Sequence, residues 1–135
     1  MLEGLPGPLP DLDTQPFWDG CNEGRFLLPT CHDCGTVRWP PGPMCPACQS
    51  EQTDWVDWTG PGKVYSWTVV HHAAHPALAE QIPYIIALVE VAPSVRVLGN
   101  VIGCAPEDMR ADMEVELFFE DAGEGEQLPN FRVPT

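Results

Sequence analysis

Two short cysteine turns constrain this chain more than anything else in it. Cys31 and Cys34 form one C-x-x-C pair, Cys45 and Cys48 a second, and ten residues separate the pairs. Each pair offers two sulfurs from one tight turn. A loop of this length folds the turns against each other, which suits a tetrahedral ion at about 2.3 Å from each sulfur. Zinc is the default occupant, and a single iron in the same four-thiolate cage is the alternative. "CHDCG" places Gly35 after the second thiol, where a left-handed backbone turns amides toward sulfur. "CPACQ" has Gln49 at the matching place, a departure that still permits the turn. With thiolate at all four positions no coordination site remains for water or substrate. The expected metal is one structural ion, standing in for a core that about 25 residues cannot build alone.

The rest of the chain reads as mainly β. Residues 1–13, with three prolines, form a loose leader. A short helix follows in "TQPFWDGCNEGRF", with Thr14 as its cap, Pro16 in its first turn, and Phe17, Trp18 and Cys21 on one face. After the cysteine segment come runs of β-branched and aromatic residues: "GKVYSWTVVHH", "PYIIALVEVA", "SVRVLGNVIG" and "MEVELFFE". In the last, Val115, Leu117 and Phe119 alternate with Glu114, Glu116 and Glu120, the pattern of a half-buried strand. "DWVDW" before Gly60 adds a further strand. Such strands, with hairpin-length links and one longer connection, predict a five-stranded closed barrel such as an OB-fold. The division expected is 1–54 for leader, helix and ribbon, and 55–135 for the barrel with its C-terminal tail. In that tail, "DAGEGE" reads as mobile, and Leu128, Phe131 and Val133 either dock on a partner or fold back on the barrel.

Six basic residues face twenty acidic ones, for a formal charge of −14. That surface repels phosphate backbones and anionic lipid, so nucleic acid and membrane are poor partners. No stretch is long and apolar enough to span a bilayer, and the N-terminus lacks the basic and apolar regions of a secretory signal. The chain reads as cytoplasmic, where paired cysteines bind metal more often than they form disulfides.

Other candidate chemistry is sparse. Cys21 and Cys104 read as small buried apolar residues. His71 and His72 fall on opposite faces of a strand, and with His75 they mark a solvated strand end and loop; His32 points outward. Trp39, Trp55 and Trp58 lie near the ribbon and read as the apolar seam joining it to the barrel, with a ligand platform as the weaker option. No catalytic residues are assigned.

The order of parts carries a resemblance. "PFWDGCNEGRFLLPTCHDCG", "CPACQS", "VDWTGPGKVYSWTVVH", "PYIIALVEV" and "GNVIGCAPEDMRADMEVELFFE" resemble the acyl-CoA-associated family that pairs a rubredoxin-like zinc ribbon with an OB-fold. The resemblance runs from about residue 16 to 132. It implies a small accessory subunit of a thiolase-fold enzyme, with Cys31, Cys34, Cys45 and Cys48 as metal ligands and an α2β2 assembly. The reaction it favours is retro-aldol cleavage of an acyl-CoA with a steroid-like side chain. A thiolase or acyltransferase partner is the close alternative, and acyl-CoA contact by this chain is possible within the family. A free-standing nucleic-acid-binding OB module and an autonomous enzyme using the histidines are the competing classes.

Overall fold

The computed structural model describes residues 5–134. Helix α1 covers Gln15–Asn22, with proline in its first turn and Phe17 and Cys21, four residues apart, buried on one face. Thr14 does not cap it. Its hydroxyl instead accepts from the Asp11 N–H at 3.0 Å, while the Asp11 carboxylate accepts from the N–H groups of Asp13 (3.0 Å) and Thr14 (2.9 Å). The capping oxygen is thereby spent on a turn one step upstream, so residues 11–14 are ordered by local hydrogen bonds. The first four residues of the expected leader lie outside the described residues.

Two sheets follow. Strands β1 (Phe26–Cys31) and β2 (Thr53–Trp58) pair antiparallel along their full length, from Phe26↔Trp58 to Cys31↔Thr53. The "DWVDW" segment is thus a strand, but it belongs to the ribbon's sheet and not to the barrel. Its aspartates add exposed ion pairs to this pairing. Asp57 takes two hydrogen bonds from Arg25 (3.0 and 2.9 Å), and Asp54 faces His32 at 3.0 Å, both partners lying beside β1.

The barrel comprises β3 (Gly62–Val70), β4 (Tyr84–Ala92), β5 (Val95–Ile102), β6 (Glu114–Gly123) and β7 (Glu126–Arg132). It closes in the order β3-β4-β5-β7-β6. Alternation builds its core: β4 buries Ile85, Ala87, Val89 and Val91, and β5 buries Val95, Val97 and Val101. The five-stranded barrel is as expected, but its fifth strand is the segment read as a tail. Residues 126–132 pair antiparallel with β6 and in parallel with β5 at Val101↔Phe131 and Ile102↔Arg132. Nor is "DAGEGE" a loose stretch, since β6 runs to Gly123 and turns directly into β7. Two features seat β7. Phe131 fills the space over Gly99, where an added Cβ would come within 2.6 Å of its ring. Asn130, buried, accepts from the Asn100 N–H at 2.9 Å and extends the β5 ladder by one side-chain bond.

Aromatic rings join the halves. Phe17 meets Phe26 and Trp39 edge-on at 5.2 and 4.9 Å; Phe26 meets Trp58 at 5.4 Å, and Trp58 reaches Phe131 of the barrel at 6.4 Å. These separations fall in the favourable range for edge-to-face contacts. Trp55 is half-buried against the same core. The seam expected of Trp39, Trp55 and Trp58 is therefore present, and α1 supplies its centre.

Candidate metal centre

The end of β1 and the loop after it bring Cys31, Cys34, Cys45 and Cys48 together, with all four sulfurs within 4.8 Å of one another. Cys31 and Cys48 stand 3.5 Å apart, Cys34 and Cys45 3.6 Å. An ion at zinc–sulfur distance in a tetrahedron would set these edges at about 3.8 Å. The donor set and its spacing fit one four-coordinate thiophilic metal.

The two turns are built alike. In the first, Gly35 N–H donates to the Cys31 carbonyl (2.9 Å) and Cys34 N–H points at the Cys31 sulfur (3.5 Å). In the second, Gln49 N–H donates to the Cys45 carbonyl (2.8 Å) and Ala47 N–H points at the Cys45 sulfur (3.4 Å). Gly35 has φ 77° and Gln49 φ 66°, so the departure at position 49 leaves the turn intact, with glutamine in a left-handed conformation that glycine adopts at less cost. The Ser50 hydroxyl donates to Asp33 and links the two turns, while each turn is closed on itself by a 2.8 Å bond, from the Cys31 N–H to the Thr36 carbonyl and from the Cys45 N–H to the Ser50 carbonyl.

Electrostatics in the cluster favour thiolate at Cys31 and Cys45 and oppose it at Cys48. The Cys34 amide holds the Cys31 thiol below its ordinary value. The Cys48 amide brings Cys45 down to about 6. The Ser50 amide favours ionised Cys48, yet the Cys31 and Cys34 sulfurs outweigh it and push that thiol up to about 12. Four adjacent sulfurs cannot all ionise without positive charge between them.

The remaining candidates do not assemble. His71 and His72 are exposed just beyond the end of β3, and His75 Nδ1 accepts from the Ala77 N–H at 3.1 Å, capping a single 3-10 turn. His32 is exposed beside Asp54, which raises its pKa. Cys21 is fully buried against the seam, and burial pushes its thiol up to about 12. Cys104 contacts the Met109 sulfur at 3.5 Å. One residue close to the centre escaped sequence reading altogether: Arg38, buried between the two turns. Its only sequence signal is a lone cation inside the cysteine loop of an acidic chain.

Fold and site define a four-cysteine ribbon seated on a small OB-type barrel. Residues 18–54 match the family model described as ChsH2, rubredoxin-like zinc ribbon domain, and residues 55–120 that of ChsH2, C-terminal OB-fold domain. The chain is 38% identical over 127 residues to the probable enoyl-CoA hydratase alpha subunit of Thermomonospora curvata, covering 94% of this chain and 39% of that one. It is 34% identical over 114 residues to the 3-oxo-4,17-pregnadiene-20-carboxyl-CoA hydratase alpha subunit of Mycobacterium tuberculosis, covering 84% of this chain and 36% of the relative. The chain thus spans less than 40% of the length of either. A chain of the solved Ltp2-ChsH2(DUF35) aldolase superposes with a TM-score of 0.86 at 37% identity, covering 94% of this chain and 98% of that one. The chain belongs to the ChsH2 (DUF35) family.

No helix among the described residues is long and apolar enough to cross a membrane.

Proposed function

We propose that this chain is a non-catalytic accessory subunit of an enzyme acting on acyl-CoA thioesters. Its ribbon, which includes β2 and so extends past the 54/55 boundary expected from sequence, is held by one zinc ion on Cys31, Cys34, Cys45 and Cys48, and its barrel runs from β3 to β7. The partner is a thiolase-fold subunit, joined to it as α2β2 in the cytoplasm. The joint reaction is retro-aldol cleavage of an acyl-CoA with a bulky, steroid-type side chain. The observation that carries this reading is the likeness to a chain of the Ltp2-ChsH2(DUF35) aldolase along almost the whole of both chains.

The chemistry of the chain agrees. Retro-aldol cleavage needs a base to take the proton of the β-hydroxyl and a group to stabilise the thioester enolate that leaves. The four thiols face one another, and the exposed histidines are scattered. A closed four-thiolate ion holds the fold and offers no fifth position for a carbonyl. The base and the enolate-stabilising groups therefore belong to the partner. Exposed side chains on the two barrel strands that flank β4, Tyr65 and Trp67 on β3 and Leu98 and Ile102 on β5, supply apolar surface for docking.

A second reading rests on the names of two of the curated relatives, both hydratase alpha subunits: the same module serving an acyl-CoA hydratase. One assay separates the two. The chain is purified with its co-purifying partner and offered a β-hydroxyacyl-CoA and the corresponding enoyl-CoA. Release of a ketone and a shortened acyl-CoA by the complex, with none from the chain alone, is the expected result. Hydration without C–C cleavage would favour the second reading, and turnover by the chain alone would end the accessory assignment.

A further inference from the structure

Arg38 is the one arginine in this acidic chain that is more than nine-tenths buried, and no carboxylate meets it among the described residues. Its Nη2 donates to the Thr53 hydroxyl at 2.6 Å and to the Gly42 carbonyl at 3.1 Å. Nε and Nη1 have no hydrogen-bond partner. A buried guanidinium without an anion is costly, so a compensating negative charge is to be expected nearby.

Register shows where that charge lies. Arg38 N–H donates to the Pro29 carbonyl, and Val37 bridges Thr30, so residues 37–38 return antiparallel beside β1. Strand alternation then sets Arg38 on the face of Pro29 and Cys31. Thr53, which holds the guanidinium, is the direct ladder partner of Cys31. Directly opposed residues keep their Cβ atoms about 5 Å apart on one face. The guanidinium is thus tethered to the residue facing the Cys31 ligand, inside the loop that links the two turns. Four thiolates around a divalent ion leave a net charge of about −2.

We infer that Arg38 is the counter-charge of the tetrathiolate centre, a positioning residue that favours a divalent ion there over a trivalent one. The inference rests on the zinc reading above. A positive charge at this place stabilises the −2 centre of zinc or ferrous iron more than the −1 centre of ferric iron. The Gly42 and Thr53 bonds keep it there while clamping the loop.

The test uses the full-length chain and two variants. Arg38→Gln keeps an amide donor for Gly42 and Thr53 and removes the charge; Arg38→Lys keeps the charge and loses the fork. Zinc affinity is read by competition with a chromophoric chelator at one neutral pH. Arg38→Gln should weaken binding about tenfold, as expected for loss of an outer-shell partner, and Arg38→Lys by much less. In the iron-loaded chain, Arg38→Gln should lower the one-electron ferric/ferrous potential and Arg38→Lys should leave it near the unmodified value. A clamp acting by hydrogen bonds alone would not rank the variants this way. Should Arg38→Gln fail to fold, Thr53→Val releases the guanidinium from β2, and a smaller shift of affinity and potential in the same directions is expected. Equal affinity and equal potential in wild type and the folded variants would overturn the inference. A wild-type chain that takes up no metal would overturn the zinc reading beneath it.

Discussion

Ribbon and barrel solve the same problem, holding β structure together, with different materials. Between β1 and β2, residues 32–52 bury only Arg38 and Cys45. On β4 alone the barrel buries Ile85, Ala87, Val89 and Val91, every second residue of the strand. Hydrophobic burial contributes about 1.5–3 kcal/mol for each such side chain larger than alanine. The barrel can therefore stand on its core. The ribbon loop has no comparable store, and its geometry is fixed by backbone hydrogen bonds to sulfur and by whatever neutralises four thiols. Where one region depends on many small contributions, the other depends on a single centre.

That contrast can be broken most severely at the centre. Cys45→Ser should abolish stoichiometric zinc and unfold the ribbon, since binding energy on the order of 10 kcal/mol is coupled to folding in such sites. The far-UV dichroism of the barrel strands should persist. Metal analysis and thermal melts check it, and unchanged zinc with unchanged melting would refute the site. Phe131→Ala strikes the other region, emptying the space over Gly99 and cutting the ring contact to Trp58. A loss of about 3–5 kcal/mol in urea unfolding is expected, with zinc content retained.

Within the ribbon the two turns place different residues at the left-handed position, Gly35 in the first and Gln49 in the second. Gln49→Gly should stabilise the chain by about 1 kcal/mol, and Gly35→Ala should cost about as much. Denaturant midpoints of the two variants measure the difference. The smallest effect belongs to the Arg25–Asp57 pair, half-exposed and screened by water. Arg25, by hydrogen bonding, holds the Asp57 carboxyl below its ordinary value. A group lowered on folding stabilises fully above its unfolded pKa, and that contribution is lost as pH falls through the folded one. Asp57→Asn should therefore lower the melting temperature slightly at neutral pH, with the gap closing in acid below about pH 4.

Much of this was legible in the residues because it is local. The C-x-x-C spacing states its own geometry, and the alternation of "YIIALVEVA" states which side chains face inward. What escaped is what depends on distant partners. Residues 126–132 look like a tail because Pro129 and Asn130 interrupt the apolar pattern. Asn130 is satisfied in its buried place because its amide oxygen accepts from the Asn100 N–H thirty residues earlier and its amide nitrogen donates to Glu120. "DWVDW" announces a strand but not a sheet; its pairing with β1, from Phe26↔Trp58 to Cys31↔Thr53, spans some thirty residues of chain. Thr14 has the right identity for a cap, and Asp11 takes it away. At the candidate site all four sulfurs were readable. Arg38 was not, because its place depends on Gly42 and Thr53, brought to it by the fold.

Native mass spectrometry of the chain purified from its own source tests the central claim most directly, since it weighs bound metal and bound partner together. One zinc per chain is expected, in an assembly containing two copies of this chain and two of a thiolase-sized subunit. A metal-free chain, or a zinc-bearing monomer with no partner, would contradict it.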